Sequence, residues 1–312
     1  MASQQLEFTT CDVFTDIRFE GNPLAIVRLP PNIFLSQGQK QAIAKEFNLS
    51  ETVFLRLGTG QNPDEWTIDI FITDAEIPFA GHPTIGSAWY AFAHLADQHV
   101  RRATLNTKAG PIPVTLDPDR RRISASIPHD VIVHKTAVER SQLLDLRPAL
   151  REVGQAAIPN RAPVVSIVRG MTFALVELGS LDALRAVKPA GQLLRVSLDA
   201  ADTDLLTKGF VGWYFYVRLA GMEDGTKRLC ARMFDDPLED PATGSAASAL
   251  AVYRTLRDGE PGKVSRYAIT QGVEMGRRSE IGVEVALDEE RRIRDVVLSG
   301  WAVPVMEGKV WC

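Results

Sequence analysis

The sequence predicts an α+β protein of two pseudo-symmetric, barrel-like halves, each a mostly antiparallel sheet wrapped around one central helix. Three observations predict it. Short strand-like segments come in long runs, and each run holds one strongly apolar helix, in place of regular strand–helix alternation. Two stretches echo each other: Phe79-Ala80-Gly81-His82-Pro83-Thr84-Ile85-Gly86-Ser87 and Glu239-Asp240-Pro241-Ala242-Thr243-Gly244-Ser245. Each has polar groups, a proline, then Thr, Gly and Ser, and each runs into an apolar helix, 88–95 and 246–256. Finally, no low-complexity linker divides the 312 residues, so the halves are expected to pack together around a shared cleft. The expected division is 1–127 plus 300–312 around a helix at 83–96, and 128–299 around a helix at 243–257.

A helix that is apolar on every side has to be buried on every side. Its first turn carries unpaired backbone N–H groups at the positive end of the dipole, which suits a carboxylate or phosphate. Taken alone, each stretch is more simply an N-capped core helix. The repetition is what turns both helix starts into candidate ligand sites.

In chain order, residues 6–14 and 24–29 read as paired strands joined through Gly21-Asn22-Pro23, whose residue types favour a turn. Ser36 and Gln39 have capping-box spacing, and Ile43, Ala44 and Phe47 continue a helix to about 47. Glu46 sits near the C-terminal end of that helix, where the dipole disfavours an anion. If Glu46 is also shielded from water its pKa rises, which suits a group that takes and returns a proton; spacing alone favours a solvated surface glutamate. A polar turn leads to a strand at 53–57, a loop at 58–65 and an alternating strand at 66–73. After the first central helix come short strands at 103–107, 112–116 and 123–127. Residues 128–134 read as a crossing segment into the second half. There, helix-like stretches at 138–144 and 181–186 flank a hairpin pattern at 164–168 and 173–178. A helix at 200–207 precedes strands at 211–219 and 228–234; beyond the second central helix lie strands at 264–270, 281–287 and 293–298 and an extended segment at 300–312.

Composition excludes several function classes. The net charge of −4 and the absence of a long basic run give no reason to expect nucleic acid or an anionic membrane as partner. No apolar run approaches the roughly 20 residues of a spanning helix, and Glu7 and Asp12 in the first strand argue against a signal peptide. Cys11, Cys230 and Cys312 are odd in number and unclustered, which predicts a reducing, cytoplasmic setting without a disulfide framework or a metal site. His94, His99, His129 and His134 have no partner at metal-ligand spacing and read as surface or structural residues. No Gly-rich dinucleotide fingerprint is present, and no cofactor is expected.

Six stretches carry a family resemblance: Asp12-Val13-Phe14-Thr15, Gly21-Asn22-Pro23-Leu24-Ala25, Glu46-Phe47-Asn48-Leu49-Ser50-Glu51-Thr52, Pro78-Phe79-Ala80-Gly81-His82-Pro83, Glu239 to Ala246, and Gln271-Gly272. In order and at these spacings the chain resembles the PhzF-like family, named for a phenazine-biosynthesis isomerase and sharing the diaminopimelate-epimerase fold. The resemblance implies that Glu46 is the proton-shuttling glutamate, that His82 and Asp240 bind and orient the substrate, and that Ser245 and the Gly81 backbone N–H contact it. Gly244, Asn22 and Ser50 complete the implied substrate-binding set. It also implies a homodimer and a small, anionic substrate. Racemases of this fold use two cysteines, and the corresponding places here hold Ala80 and Pro241, so two-thiol racemisation is not expected. The expected function is a cofactor-independent isomerase with a single acid–base glutamate acting on a small carboxylate-bearing or cyclic metabolite. Epimerase or lyase chemistry with the same base, or ligand binding without catalysis, are the alternatives.

Overall fold

The computed structural model describes residues 5–57, 64–168, 170–190 and 212–312. Its chain divides into two compact units, Met1–Ile127 with Val297–Cys312, and Pro128–Val296. The fold is mixed α+β and mostly antiparallel sheet, as the run of short strands predicts. The helix expected at 200–207 and most of the loop expected at 58–65 lie outside the described residues.

In the first unit the strand Gln5–Val13 lies between Asn22–Leu29 and Ala302–Trp311, antiparallel to both. Asn22–Leu29 runs parallel to Glu51–Arg56, and Glu65–Phe71 runs parallel to Arg102–Thr107. A parallel pair needs a crossover, and the two helices of this unit supply them: α1 (Gln37–Phe47) for the first pair and α2 (Gly81–His94) for the second. Gly110–Asp117 and Arg122–Ser126 continue the antiparallel order, and Arg122–Ser126 pairs with the end of Ile293–Gly300. Trp301 then turns the chain into Ala302–Trp311. Its carbonyl accepts from the Phe14 N–H at 2.8 Å and its indole N–H donates to the Arg120 carbonyl at 2.8 Å.

The sequence accounts for both helices. The side chain of Ser36 accepts from the Gln39 N–H and Gln39 caps the Ser36 N–H in return, a reciprocal box that satisfies two orphan donors of α1. Ile43 and Ala44 of α1 pack with Leu6, Val27, Leu29, Phe54 and Phe71 on one face of the sheet. α2 packs against strands from most of the unit, and nearly all of Gly81–Ala91 is buried, as a helix without a polar face requires.

In the second unit, Ile132–Glu139, Arg161–Val168 and Met171–Glu177 form an antiparallel run. Met171–Glu177 is parallel to Gly212–Arg218, which pairs antiparallel with Lys227–Asp235. Lys227–Asp235 is parallel to Val264–Gln271, and α5 (Gly244–Asp258) is the crossover between them. Ser279–Leu287 completes the order. The short helices α3 (Arg140–Leu146) and α4 (Leu181–Ala186) pack Leu143 and Leu184 into a cluster with Trp213, Phe215 and Phe234. Beside that cluster Arg147 forms a two-pronged, fully buried pair with Asp236, its guanidinium 5.1–5.6 Å from the three aromatic rings.

One element differs from expectation. Residues 132–139 are a strand and the helix begins only at Arg140, where the sequence suggests a crossing segment and a helix over 138–144. His134 and Val138 are buried while Val133 and Lys135 are exposed, a period of two carried by β-branched residues. Glu139 ends the strand and caps α3 in a box with Gln142.

Gly86 marks where α2 meets the sheet most closely. A Cβ there would stand 2.6 Å from Leu24 Cδ2 and 2.9 Å from Val13 Cγ2, both on side chains with no exposure. Alanine is the better helix former by roughly 1 kcal/mol, but overpacking a closed core costs about 1–3 kcal/mol. Gly86→Ala is therefore expected to lower stability by about 1–2 kcal/mol, read as a lower urea midpoint; an unchanged or higher midpoint would show that the contact relaxes.

Candidate active site

The polar residues singled out in the sequence fall into two groups, one in each unit. In the first unit, two parallel strands begin side by side, with Leu24 opposite Glu51. Asn22 opens one strand and is buried; Glu51 opens the other, directly after Ser50. The Ser50 hydroxyl donates to Asn22 Oδ1 at 3.4 Å. The start of α2 brings Gly81 and His82 to the same place, both buried, and His82 Nε2 stands 3.6 Å from Glu51 Oε2. The N-cap of α2 is Ala80, which has no side-chain hydrogen bond to offer the first turn.

The carboxylate here is Glu51. Its side chain is 16% exposed, and removal from water pushes its pKa from the ordinary 4.5 up to about 7, with a hydrogen bond from Ser50 opposing part of the rise. Glu46, expected to be the proton-shuttling residue, is exposed. The buried side of α1 runs through Lys40, Ile43 and Ala44, and Glu46 lies off that stripe. Asn48, in the left-handed conformation at φ 52°, then ends the helix and turns the chain into the strand. The shielding that the role requires is thus absent at Glu46 and present at Glu51. A signal for Glu51 does exist in the sequence: it is the one acid at the mouth of an otherwise apolar strand, Thr52-Val53-Phe54-Leu55.

In the second unit Asp240 ends the short strand Leu238–Asp240, antiparallel to Lys227–Asp235, just before α5. Gly244 is the first residue of α5 and is buried; Ser245 follows, half-buried. Thr243 is the N-cap, yet its hydroxyl makes no capping bond and donates to Asp240 Oδ2. The Gln271 carboxamide, fully buried, joins these groups. Its Nε2 donates to the Asp240 carbonyl at 2.8 Å and to Thr243 Oγ1 at 3.1 Å; its Oε1 accepts from the Thr243 N–H at 3.3 Å and the Tyr214 hydroxyl at 3.1 Å. Burial, reinforced by the nearby Asp240 carboxylate, holds Tyr214 as a neutral phenol. Gly272, at φ +75°, lets this turn approach closely: a Cβ would stand 2.7 Å from the Pro241 carbonyl oxygen and 2.4 Å from that of Arg277. Glu239 is held by Arg232 through paired contacts of 2.7 and 2.8 Å.

The thiols are poorly suited to base chemistry. Cys11 is fully buried, and burial drives its pKa well above the ordinary thiol value; burial also raises Cys230. Among the described residues no cluster of His, Cys, Asp or Glu is placed to hold a metal ion, and no helix is long and apolar enough to cross a membrane. His134, read from the sequence as a surface or structural residue, is buried with Nε2 2.8 Å from Ser166 Oγ.

Comparison with known proteins identifies the family and the fold. A family model described as phenazine biosynthesis-like protein matches residues 11–308. An uncharacterized isomerase of Mesorhizobium japonicum is 32% identical, the match covering 99% of both chains. A trans-2,3-dihydro-3-hydroxyanthranilate isomerase of Pseudomonas fluorescens is 33% identical over 87% of both. Among solved structures, a phenazine biosynthesis protein of the PhzF family from Bacillus anthracis superposes with a TM-score of 0.76 at 20% identity, covering 98% of this chain and 99% of that one.

Glu51 gives a stability signature of its own. Folding raises its proton affinity, so its contribution to stability is complete below about 4.5 and is lost as pH rises through about 7. At about 1.36 kcal/mol per pKa unit the loss is at most about 3–4 kcal/mol. Glu51→Gln is expected to be more stable than the wild type by about 1–3 kcal/mol at pH 8, the difference vanishing near pH 4.5, as read from urea midpoints. Equal midpoints at both pH values would show that Glu51 ionises normally.

Proposed function

The chain belongs to the phenazine biosynthesis-like family of isomerases, and from that premise we propose that it moves a proton between two carbons of a small cyclic carboxylate, with Glu51 as the acid–base group. The observation that carries this reading is the withdrawal of Glu51 from water at the start of a strand, with a pKa of about 7. A general base works best when its pKa lies near the working pH, because both protonation states are then accessible. Ionised Glu51 takes the proton from a substrate C–H bond; the electron pair moves into the adjacent π system and the double bond shifts. The protonated Glu51, whose acidic proton exchanges with solvent, then delivers a proton to the far carbon. Atoms and charge balance without a redox partner.

His82, whose Nε2 stands beside the Glu51 carboxylate, is the group that interacts with the substrate's polar atoms. The start of α2, beside Glu51, supports an anionic substrate: its N-cap, Ala80, has no capping group. Asp240, Gly244 and Ser245 belong to the substrate-binding set on this reading. The ring carboxylate is suggested by the relative in Pseudomonas fluorescens, named for isomerising trans-2,3-dihydro-3-hydroxyanthranilate.

The test is deuterium uptake in heavy water, with trans-2,3-dihydro-3-hydroxyanthranilate and a panel of small cyclic and amino carboxylates. Wild type and Glu46→Gln are expected to isomerise the substrate at similar rates, and Glu51→Gln at a rate lower by about 100- to 10,000-fold. Full activity in Glu51→Gln, or its loss in Glu46→Gln alone, would overturn the assignment. An inverted stereocentre in place of a shifted double bond would make the enzyme an epimerase with the same base.

A further inference from the structure

We propose that Gln271 is a positioning residue that sets the direction of the Thr243 hydroxyl, and through it presents Asp240 as a carboxylate of fixed orientation. The inference rests on the reading of Asp240 as a substrate-binding group. Gln271 is absent from the expected site, although the Gln271-Gly272 pair stands out in the sequence.

The argument follows from which groups can only donate and which can only accept. A backbone N–H only donates, so the Gln271 atom facing the Thr243 N–H is Oε1. A backbone carbonyl only accepts, so the atom facing the Asp240 carbonyl is Nε2. The two ends of the carboxamide are thereby assigned from its neighbours alone. Nε2 also reaches Thr243 Oγ1 at 3.1 Å, where it can only donate. The Thr243 hydroxyl therefore receives a hydrogen bond on a lone pair and must send its own proton elsewhere, and Asp240 Oδ2 is its partner. The result is a one-way relay, Gln271 N–H to Thr243 O–H to the Asp240 carboxylate.

Three further features show a relay held in place. The Tyr214 hydroxyl, kept protonated by burial, adds a second donor on Oε1 and opposes a flip of the amide. Gln271 has no exposure to water that could substitute for a lost partner. Gly272 allows a backbone approach to the Pro241 carbonyl that a side chain at that position would block. A threonine at a helix N-cap ordinarily accepts from the first-turn N–H groups; here its hydroxyl is diverted to an acid and makes no capping bond. Helix start and carboxylate are thus set by the same carboxamide.

The test is a carbon-13 titration of the Asp240 carboxylate in the full-length protein, assigned by the signal missing from Asp240→Asn. Hydrogen bonds to the ionised form favour it, so Thr243→Val is expected to move the Asp240 midpoint upward by about one pH unit, tenfold in proton affinity. Gln271→Met is expected to move it in the same direction, because the hydroxyl is then free to turn. Thr243→Ser, which restores the hydroxyl, is expected to return it to the wild-type position. In the wild type the Thr243 hydroxyl proton is expected to exchange slowly and to show a contact with the Gln271 amide protons, a readout that needs no variant of the buried glutamine. An unmoved midpoint in Thr243→Val, or a rapidly exchanging hydroxyl without that contact, overturns the relay. Turnover of trans-2,3-dihydro-3-hydroxyanthranilate by Asp240→Asn separates the two readings. Unchanged turnover removes Asp240 from the site whatever the titration shows, and an unmoved titration removes Gln271 and Thr243 from their role whatever the turnover.

Discussion

Keeping the Glu51 carboxylate out of water is the constraint on which the first unit depends. A carboxylate costs most to desolvate when it is charged, and the surroundings must hold it there against that cost. The parallel strand Asn22–Leu29 fixes the backbone of Glu51 on one side, and the start of α2 places His82 on the other. Parallel pairing requires a crossover, which gives α1 its purpose. α1 packs Ile43 and Ala44 against the sheet and leaves Glu46 in solvent. Glu46 and Glu51, close in the chain, thus meet opposite environments, with the left-handed Asn48 turning the backbone between them.

The second unit meets a different requirement. A buried polar group must find partners or cost about 1–3 kcal/mol, and a network of such groups specifies structure only when every member is satisfied. Gln271 satisfies the requirement with four contacts, two given and two received. The same bonds join the strand before α5 to its first turn, so the geometry of the acid and of the helix start cannot vary independently. Arg232 anchors the preceding Glu239 in a bidentate pair and also donates to the carbonyls of Leu184, Arg185 and Val187 around the end of α4.

How far the sequence reveals this depends on the range of each interaction. The box at Ser36 and Gln39 and the apolar run of α2 are local and could be read directly. The strand at Ile132–Glu139 was obscured because Val138 to Leu144 contains apolar residues at helical spacing, and only the alternation that starts at Ile132 reveals the extended segment. Glu51 was harder still. Its pKa depends on how much water the folded unit excludes, and that is set by residues distant in sequence, such as His82 and Leu24. The helix dipole at Glu46 is a local effect worth only about 0.3–1 kcal/mol at the surface. Desolvation is larger and cannot be seen from spacing. Gln271 shares that difficulty: its partners Tyr214, Asp240 and Thr243 come together only through pairings between distant strands.

The choice of a carboxylate over thiols follows from the same physics. A thiol needs its pKa lowered to serve as a base near neutrality, whereas burial raises the pKa of both classes of acid. Cys11, with no exposure, is moved further from usefulness by its environment. A glutamate starts from 4.5, below neutrality, and the same exclusion of water carries it up to about 7, where it can both take and give a proton. Desolvation therefore costs the fold stability above that pH and supplies the basicity that a single-residue shuttle needs. Stability and proton affinity are two readings of one environment, and a substitution that lets water reach Glu51 should gain the first while losing the second.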